Sequence, residues 1–318
     1  MSSSGISAPW IVRRWFPDKM MTETTDRQRP AGKPGWLRRR LPAGPEYERM
    51  RRLLQGQGLT TVCQEAQCPN QFECYAGGTA TFMILGRRCS RNCGFCAVAH
   101  GPLGLPDPEE PALVAQAVEV LGLRYAVVTS VTRDDLADGG ASFFAGTIRA
   151  IKERMPTTLV EVLIPDLLGD WIGLEEILRA GPEVLNHNIE TVPRLYPAVR
   201  PGALYSRSLD LLRQVKRIAP KTPTKSGIML GLGESAEELL ATLRDLLAAG
   251  CDILTLGQYL QPSPAHLPVE RYVPPEEFQL LEETALALGF AGLAAGPFVR
   301  SSYQAENLYK QARKRLSE

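Results

Sequence analysis

Apolar and polar positions change period repeatedly along this chain. Beyond residue 78, short apolar runs alternate with stretches whose apolar residues recur every three or four positions. The runs predict strands at 79–85, 125–130, 158–164, 184–189, 224–230 and 252–256. The periodic stretches predict helices at 108–121, 142–154, 171–180, 205–218, 235–249 and 275–288. Several of these helices carry end signals. One is entered through Asp107 and Pro108, one ends at Gly181-Pro182, and one opens on a capping box from Ser235 to Glu238 with Gly250 beyond its end. Six repeats of strand then helix imply a parallel sheet covered by helices, because apolar strands of this kind must be buried on both faces. The fold class expected is α/β, a partial (β/α)6 TIM-like barrel. Such barrels place their chemistry at the carboxyl ends of the strands. Polar segments follow the strands here in that way, at 129–138, 186–191, 231–234 and 258–266.

Residues before this region show no sustained period. A short helix is expected at 45–56, and residues 1–40 read as a Pro-, Arg- and Ser-rich arm. Composition adds an asymmetry. The net charge is only +1, which excludes the whole molecule as an electrostatic binder of nucleic acid. Residues 1–60 nevertheless hold twelve Lys and Arg against five Asp and Glu, with Arg38, Arg39 and Arg40 the densest run. The arm reads either as a solvated tail or as a docking surface for an acidic partner. No apolar stretch reaches transmembrane length, so no membrane association is expected. Residues 1–14 lack an apolar h-region; a cytoplasmic extension is preferred over a transit peptide.

Cysteine placement changes the picture most. Six of the seven cysteines fall between residues 63 and 96. An odd count clustered this tightly argues for metal ligation and against a disulfide framework. Cys89, Cys93 and Cys96 have the spacing C-x3-C-x2-C and follow the first strand. Three thiolates hold three irons of a four-iron cluster and leave the fourth open to bind something else. A closed zinc site that adds His100 is the alternative. Cys63, Cys68 and Cys74 have the spacing C-x4-C-x5-C and precede the barrel; a structural zinc or cluster staple is the plain reading of these three. Cys251 starts a strand and reads as a small buried apolar residue.

The second triad, with Phe95 before its last cysteine, resembles the signature of the radical S-adenosylmethionine enzymes. Both triads together with Arg300-Ser301-Ser302-Tyr303 resemble the lipoyl synthases, from about residue 45 to residue 310. That resemblance implies insertion of two sulfur atoms at C6 and C8 of an octanoyl chain on a carrier lysine, with two S-adenosylmethionine consumed. It implies two four-iron clusters: Cys89, Cys93 and Cys96 hold the one that binds S-adenosylmethionine. Cys63, Cys68, Cys74 and Ser302 hold an auxiliary cluster that donates sulfur, with Ser301 as the second choice. An alkoxide is a harder match to iron–sulfide than thiolate and would release more readily. Matching segments suggest cofactor contacts from Thr132, Arg133 and Asp134, from Asn188 and Glu190, and from Gly231 and Glu234; His187 is as plausibly a satisfied barrel histidine. No residue is expected to act as an acid or base.

Implied partners are the octanoylated glycine-cleavage H protein or lipoyl domains of 2-oxoacid dehydrogenase complexes, ferredoxin or flavodoxin as electron donor, and an iron–sulfur carrier that rebuilds the cluster. The division expected is a basic arm at 1–44, an auxiliary-cluster extension at 45–78, the barrel at 79–290 and a C-terminal extension at 291–318. Methylthiotransferases and biotin synthases are similar competitors but lack the 300–303 motif paired with the first triad. A zinc protein using its basic arm on nucleic acid is a competitor of another class.

Overall fold

The computed structural model describes residues 32–38, 52, 61, 70, 73, 74 and 79–318. Cys63, Cys68 and, apart from Arg52, the helix expected at 45–56 lie outside the described residues. One sheet holds seven strands: β1 Thr79–Ile84, β2 Tyr125–Ser130, β3 Leu159–Leu163, β4 Val184–Asn186, β5 Thr224–Leu230, β6 Ile253–Gln258 and β7 Gly292–Gly296. Their order in the sheet follows the chain, and every neighbouring pair is parallel. Helices α1 Glu110–Leu121, α2 Ala141–Arg154, α3 Trp171–Arg179, α4 Tyr205–Ile218, α5 Ala236–Ala248 and α6 Pro275–Leu288 connect successive strands. The sheet does not close from β7 to β1, so the barrel is open. The expected partial barrel is therefore present, with its six strand–helix repeats extended by one strand.

The strands are buried along nearly their whole length, as apolar runs covered by helices must be. Local signals set the helix ends. The capping box of α5 is formed: Glu238 N donates to Ser235 Oγ, and Ser235 N donates to the Glu238 carboxylate. Such a cap contributes about 1 kcal/mol.

Two features departed from the periodic reading. Strand β4 stops at Asn186, three residues short of the expected end, because Ile189 N turns to Ser226 Oγ and Glu190 takes a left-handed φ of 67°. Strand β7 was not expected at all. Its sequence, Gly-Leu-Ala-Ala-Gly, has weak strand propensity. The small residues admit a close neighbour: a Cβ on Gly292 would lie 3.0 Å from Leu308 O in the last helix, α7 Ala305–Ser317. Through Ala305, Leu308, Tyr309 and Ala312, α7 packs against Tyr125, Val184 and Ile253, the first residues of β2, β4 and β6. The helix thereby plugs the amino end of the barrel. Above it a buried Lys225–Glu161 pair (2.9 Å) is completed by Tyr125 OH and Asn186 Nδ2.

The gap between the sheet edges is approached from the N-terminal side. Thr61 bridges antiparallel to Phe82 of β1. At the other edge, Asn70 Nδ2 donates to Phe298 O beyond β7, and Tyr303 OH donates to Glu73 at 2.9 Å.

Candidate active site

A cavity of about 530 Å3 occupies the carboxyl ends of the strands. Every strand but β4 and β7 lends it a wall residue, and the loops after β4 and β7 complete it. Cys89, Cys93 and Cys96 form part of one side; Ser301 and Ser302 lie in the wall of the same cavity.

The Cys89–Cys96 loop leaves β1 and is pinned on three sides. Ser90 N donates to Thr132 O (2.9 Å) beyond β2, and Gly94 N donates to Val199 O (3.0 Å). Leu267 N donates to Gly94 O (2.9 Å), and His266 Nε2 lies 3.0 Å from Cys96 O. The Arg91 side chain, almost fully buried, forks onto Asp134 (2.7 and 2.8 Å) and reaches Asp166 (2.7 Å). Burial alone would raise the Asp166 pKa; the Arg91 hydrogen bond and charge overcome it and hold the carboxyl well below the usual range. Cys89 Sγ accepts from Arg91 N (3.4 Å) and Thr132 N (3.3 Å). Burial pushes the Cys93 thiol up and the Cys96 thiol up to about 11. A metal bound by these thiols must displace their protons.

Among the described residues, no three Cys, His, Asp or Glu side chains converge tightly enough to share one metal ion. His100, the fourth ligand of the zinc alternative, is exposed. A four-iron cluster needs a wider arrangement, since each thiolate binds a different iron.

The cavity wall also carries residues with orphaned polar atoms. Ser130 Oγ, Asn188 Oδ1 and Arg200 Nε are buried without a hydrogen-bond partner, and all three residues line the cavity. Donor and acceptor are thus both offered to a polar ligand. Arg200 is fixed by its Nη1, which donates to Asn188 O (2.8 Å) and Tyr196 OH (2.9 Å). Glu190 is half-buried; desolvation of its carboxylate raises its pKa, and it accepts from Asn188 Nδ2 (3.0 Å). Its left-handed backbone is strain of the kind that binding sites retain. His187 is buried; Nδ1 lies 2.9 Å from Ile164 O and Nε2 3.0 Å from Ser208 Oγ. Burial, with the Arg200 charge, lowers its pKa to about 4, so the ring is neutral.

The residues singled out by sequence fall into two groups. Thr132, Asn188 and Glu190 line the cavity. Arg133, Asp134, Gly231 and Glu234 lie outside its walls. Arg133 is bound to Asp135, Leu85 O and Gly104 O, and Asp134 to Arg91. Glu234 accepts from Gly231 N (2.6 Å) and Leu232 N (2.9 Å). Gly231 has a φ of 95°, and a Cβ there would strike Arg271 O at 2.2 Å, so glycine shapes this turn. Of the first triad, Cys74 is half-buried, and Cys74 N donates to Asn70 O (2.9 Å), the residue whose amide reaches Phe298.

Sequence reasoning missed Arg91, Asp166, Arg200 and Lys33. Asp166 and Arg200 are charged residues beyond the carboxyl ends of barrel strands, which was a usable signal. Lys33, in the expected arm, lines the cavity, and Leu37 nearby is buried in a short 3-10 turn, Gly35–Leu37. No helix among the described residues is long and apolar enough to cross a membrane.

Comparison with known proteins bears on this geometry. Residues 83–246 match the profile of the radical SAM superfamily. The lipoyl synthase of Desulfotalea psychrophila is 66% identical over 281 residues, covering 88% of this chain and 94% of that protein. That of Thermus thermophilus is 55% identical over 295 residues, covering 92% and 90%. Among solved structures, the FeFe-hydrogenase maturase HydG superposes with a TM-score of 0.57 at 14% identity, covering 83% of this chain and 70% of that one. That likeness carries the fold alone.

Proposed function

The chain belongs to the lipoyl synthases, within the radical S-adenosylmethionine superfamily, and on that premise we propose that it inserts sulfur at C6 and C8 of an octanoyl chain amide-linked to a carrier lysine. The observation that carries the reading is the meeting of Cys89, Cys93 and Cys96 with Ser301 and Ser302 around one cavity.

In this proposal Cys89, Cys93 and Cys96 hold a four-iron cluster with one open iron. Cys63, Cys68, Cys74 and Ser302 hold an auxiliary one. When bound, the first cluster with S-adenosylmethionine supplies a 5′-deoxyadenosyl radical able to take hydrogen from an unactivated carbon, and the second supplies sulfur. The chain's own residues do the rest. Two backbone amides, of Arg91 and Thr132, donate to Cys89 Sγ and orient it. Arg200 lines the cavity and its Nε has no protein partner, so it suits the cofactor's carboxylate, while Asn188, whose Oδ1 is likewise unpaired, suits its donors. Glu190 and Thr132 complete that half. Met83, Val131, Ile164 and Ile228 give the apolar wall that an octanoyl chain requires and that keeps water out. With those groups bound, each of the two C–H bonds would be exchanged for a C–S bond. Electrons come from ferredoxin or flavodoxin, and two S-adenosylmethionine are used per product.

The protein substrates proposed are octanoylated lipoyl domains or the glycine-cleavage H protein. The test is anaerobic turnover of an octanoylated lipoyl-domain peptide, read by mass spectrometry. Two sulfurs in place of two hydrogens are expected. Full iron loading, about eight irons per chain for two four-iron clusters, with no sulfur in the product would overturn the reading.

A further inference from the structure

A chain tethered to a carrier lysine sets a limit on where the carrier can sit. Its surface stays within one lysine-plus-octanoyl arm of the cavity, so it must touch the cavity rim. This argument rests on the function proposed above. Six large apolar side chains are exposed among the described residues. Two, Val120 and Leu316, lie in the last turns of α1 and α7. The other four, Leu105, Leu168, Ile172 and Leu204, lie in loops or first helical turns that follow strand carboxyl ends, on the cavity side of the barrel.

Three of them sit on the two adjoining segments after β3 and β4. Leu168 is 52%, Ile172 82% and Leu204 56% exposed. Leu163, Ile164 and Pro165, which lead directly into the first segment, are cavity wall. Arg207 joins the segments: Nε donates to Asp166 Oδ2 (2.9 Å) and Nη2 to Gly202 O (3.2 Å). The turn itself is strained. Leu167 and Leu168 both have left-handed backbone, φ 46° and 51°, at a cost of about 1–2 kcal/mol each. The first leucine is buried by it and the second is turned to solvent, with Leu168 N held by Asp166 Oδ1 (3.3 Å). Asp166 also grips Arg91 in the Cys89–Cys96 loop. A strained turn that spends free energy to expose a leucine, beside other exposed apolar residues, marks a contact surface.

We propose that Leu168, Ile172 and Leu204 form the surface on which the folded octanoyl-carrying domain docks. The partner face it fits is apolar at its centre and lies next to the modified lysine. Docking here presents the arm to the cavity past Leu163 and Pro165.

Two substrates separate docking from chemistry: an octanoylated lipoyl domain and a short octanoyl-lysine peptide. Ile172→Asp and Leu204→Asp are expected to raise KM for the folded domain about tenfold or more, the size of a central contact. Turnover of the peptide should stay at the parent level. Leu168→Gly gives the same split and keeps the fold, because glycine accepts the left-handed backbone without strain. An unchanged KM for the domain in all three variants overturns the proposal. So does a parallel loss on domain and peptide, or a switch from dimer to monomer in sedimentation with KM unaltered, which would make this face a self-contact. Failure of the parent protein on the peptide would instead sink the function it rests on.

Discussion

The loop of Cys89, Cys93 and Cys96 and the loop of Ser301 and Ser302 face the same cavity, yet they are held by opposite means. The cysteine loop is locked by charge: Arg91 and Asp166 are buried together, and backbone bonds tie it to the regions after β2, β4 and β6. The serine loop is held by close approach. Val299 O lies where a Cβ on Gly257 would be, at 2.2 Å, and its outer side rests on Asn70 and on the exposed Tyr303–Glu73 hydrogen bond. The first loop is built to stay still under a cofactor. The second is held by contacts between segments distant in the chain.

The widest break in the comparison comes from the residues proposed as cluster ligands. Cys93→Ala is expected to reduce S-adenosylmethionine cleavage to background, measured as 5′-deoxyadenosine. Ser302→Ala should leave that cleavage intact while the two-sulfur product falls about 10–100-fold, a loss of the size seen when metal-site partners are removed. Equal loss of both products in the serine variant would contradict separate roles.

Next in size is the charge lock. Arg91→Met strips the buried Asp166 of its main partner and should cost about 3 kcal/mol in chemical denaturation. No comparable cost is expected from any single change in the serine loop. A pH dependence of similar size comes from His187. Its folded pKa of about 4 lies below the 6.5 of the unfolded ring, so the unfolded chain binds the extra proton between these values. Stability from this group is complete above pH 6.5 and is lost as pH falls toward 4, by roughly 3 kcal/mol. Denaturation midpoints across pH 4–7 should show that slope, and His187→Gln should flatten it. The smallest effect belongs to Tyr303→Phe. Removing its two exposed hydrogen bonds, to Glu73 and from Gln304 Nε2, should cost about 1 kcal/mol, seen as a small shift in thermal midpoint.

Much of the barrel was legible because its signals are local. Apolar runs and helical spacing located β2, β5, α4 and α6 to the residue, and the Ser235–Glu238 box marked the start of α5. Strand β7 was not legible, since Gly-Leu-Ala-Ala-Gly is chosen for the closeness of α7 and carries little strand signal of its own. In the site, the cysteine spacing and the 300–303 motif could be read directly. Arg200 offered only a weak signal, a charge beyond the carboxyl end of β4; that its Nε is left without a protein partner in a cavity-lining residue is settled only once β4 and β5 are side by side. Gly231 and Glu234 stood out by pattern, and the structure uses them to hold a turn outside the cavity wall.

The sequence by itself determined the alternation of strands and helices, the membership of the family and the two cysteine triads, since periodicity and spacing are properties of neighbours along the chain. Only the tertiary structure decided that Ser301 and Ser302 share a cavity with Cys89, Cys93 and Cys96, that Arg91 and Asp166 lock the cysteine loop, and that the strained Leu168 faces solvent beside the cavity wall. Those facts depend on contacts between residues far apart in the chain, and burial, which sets their energies, does not exist until the barrel has formed.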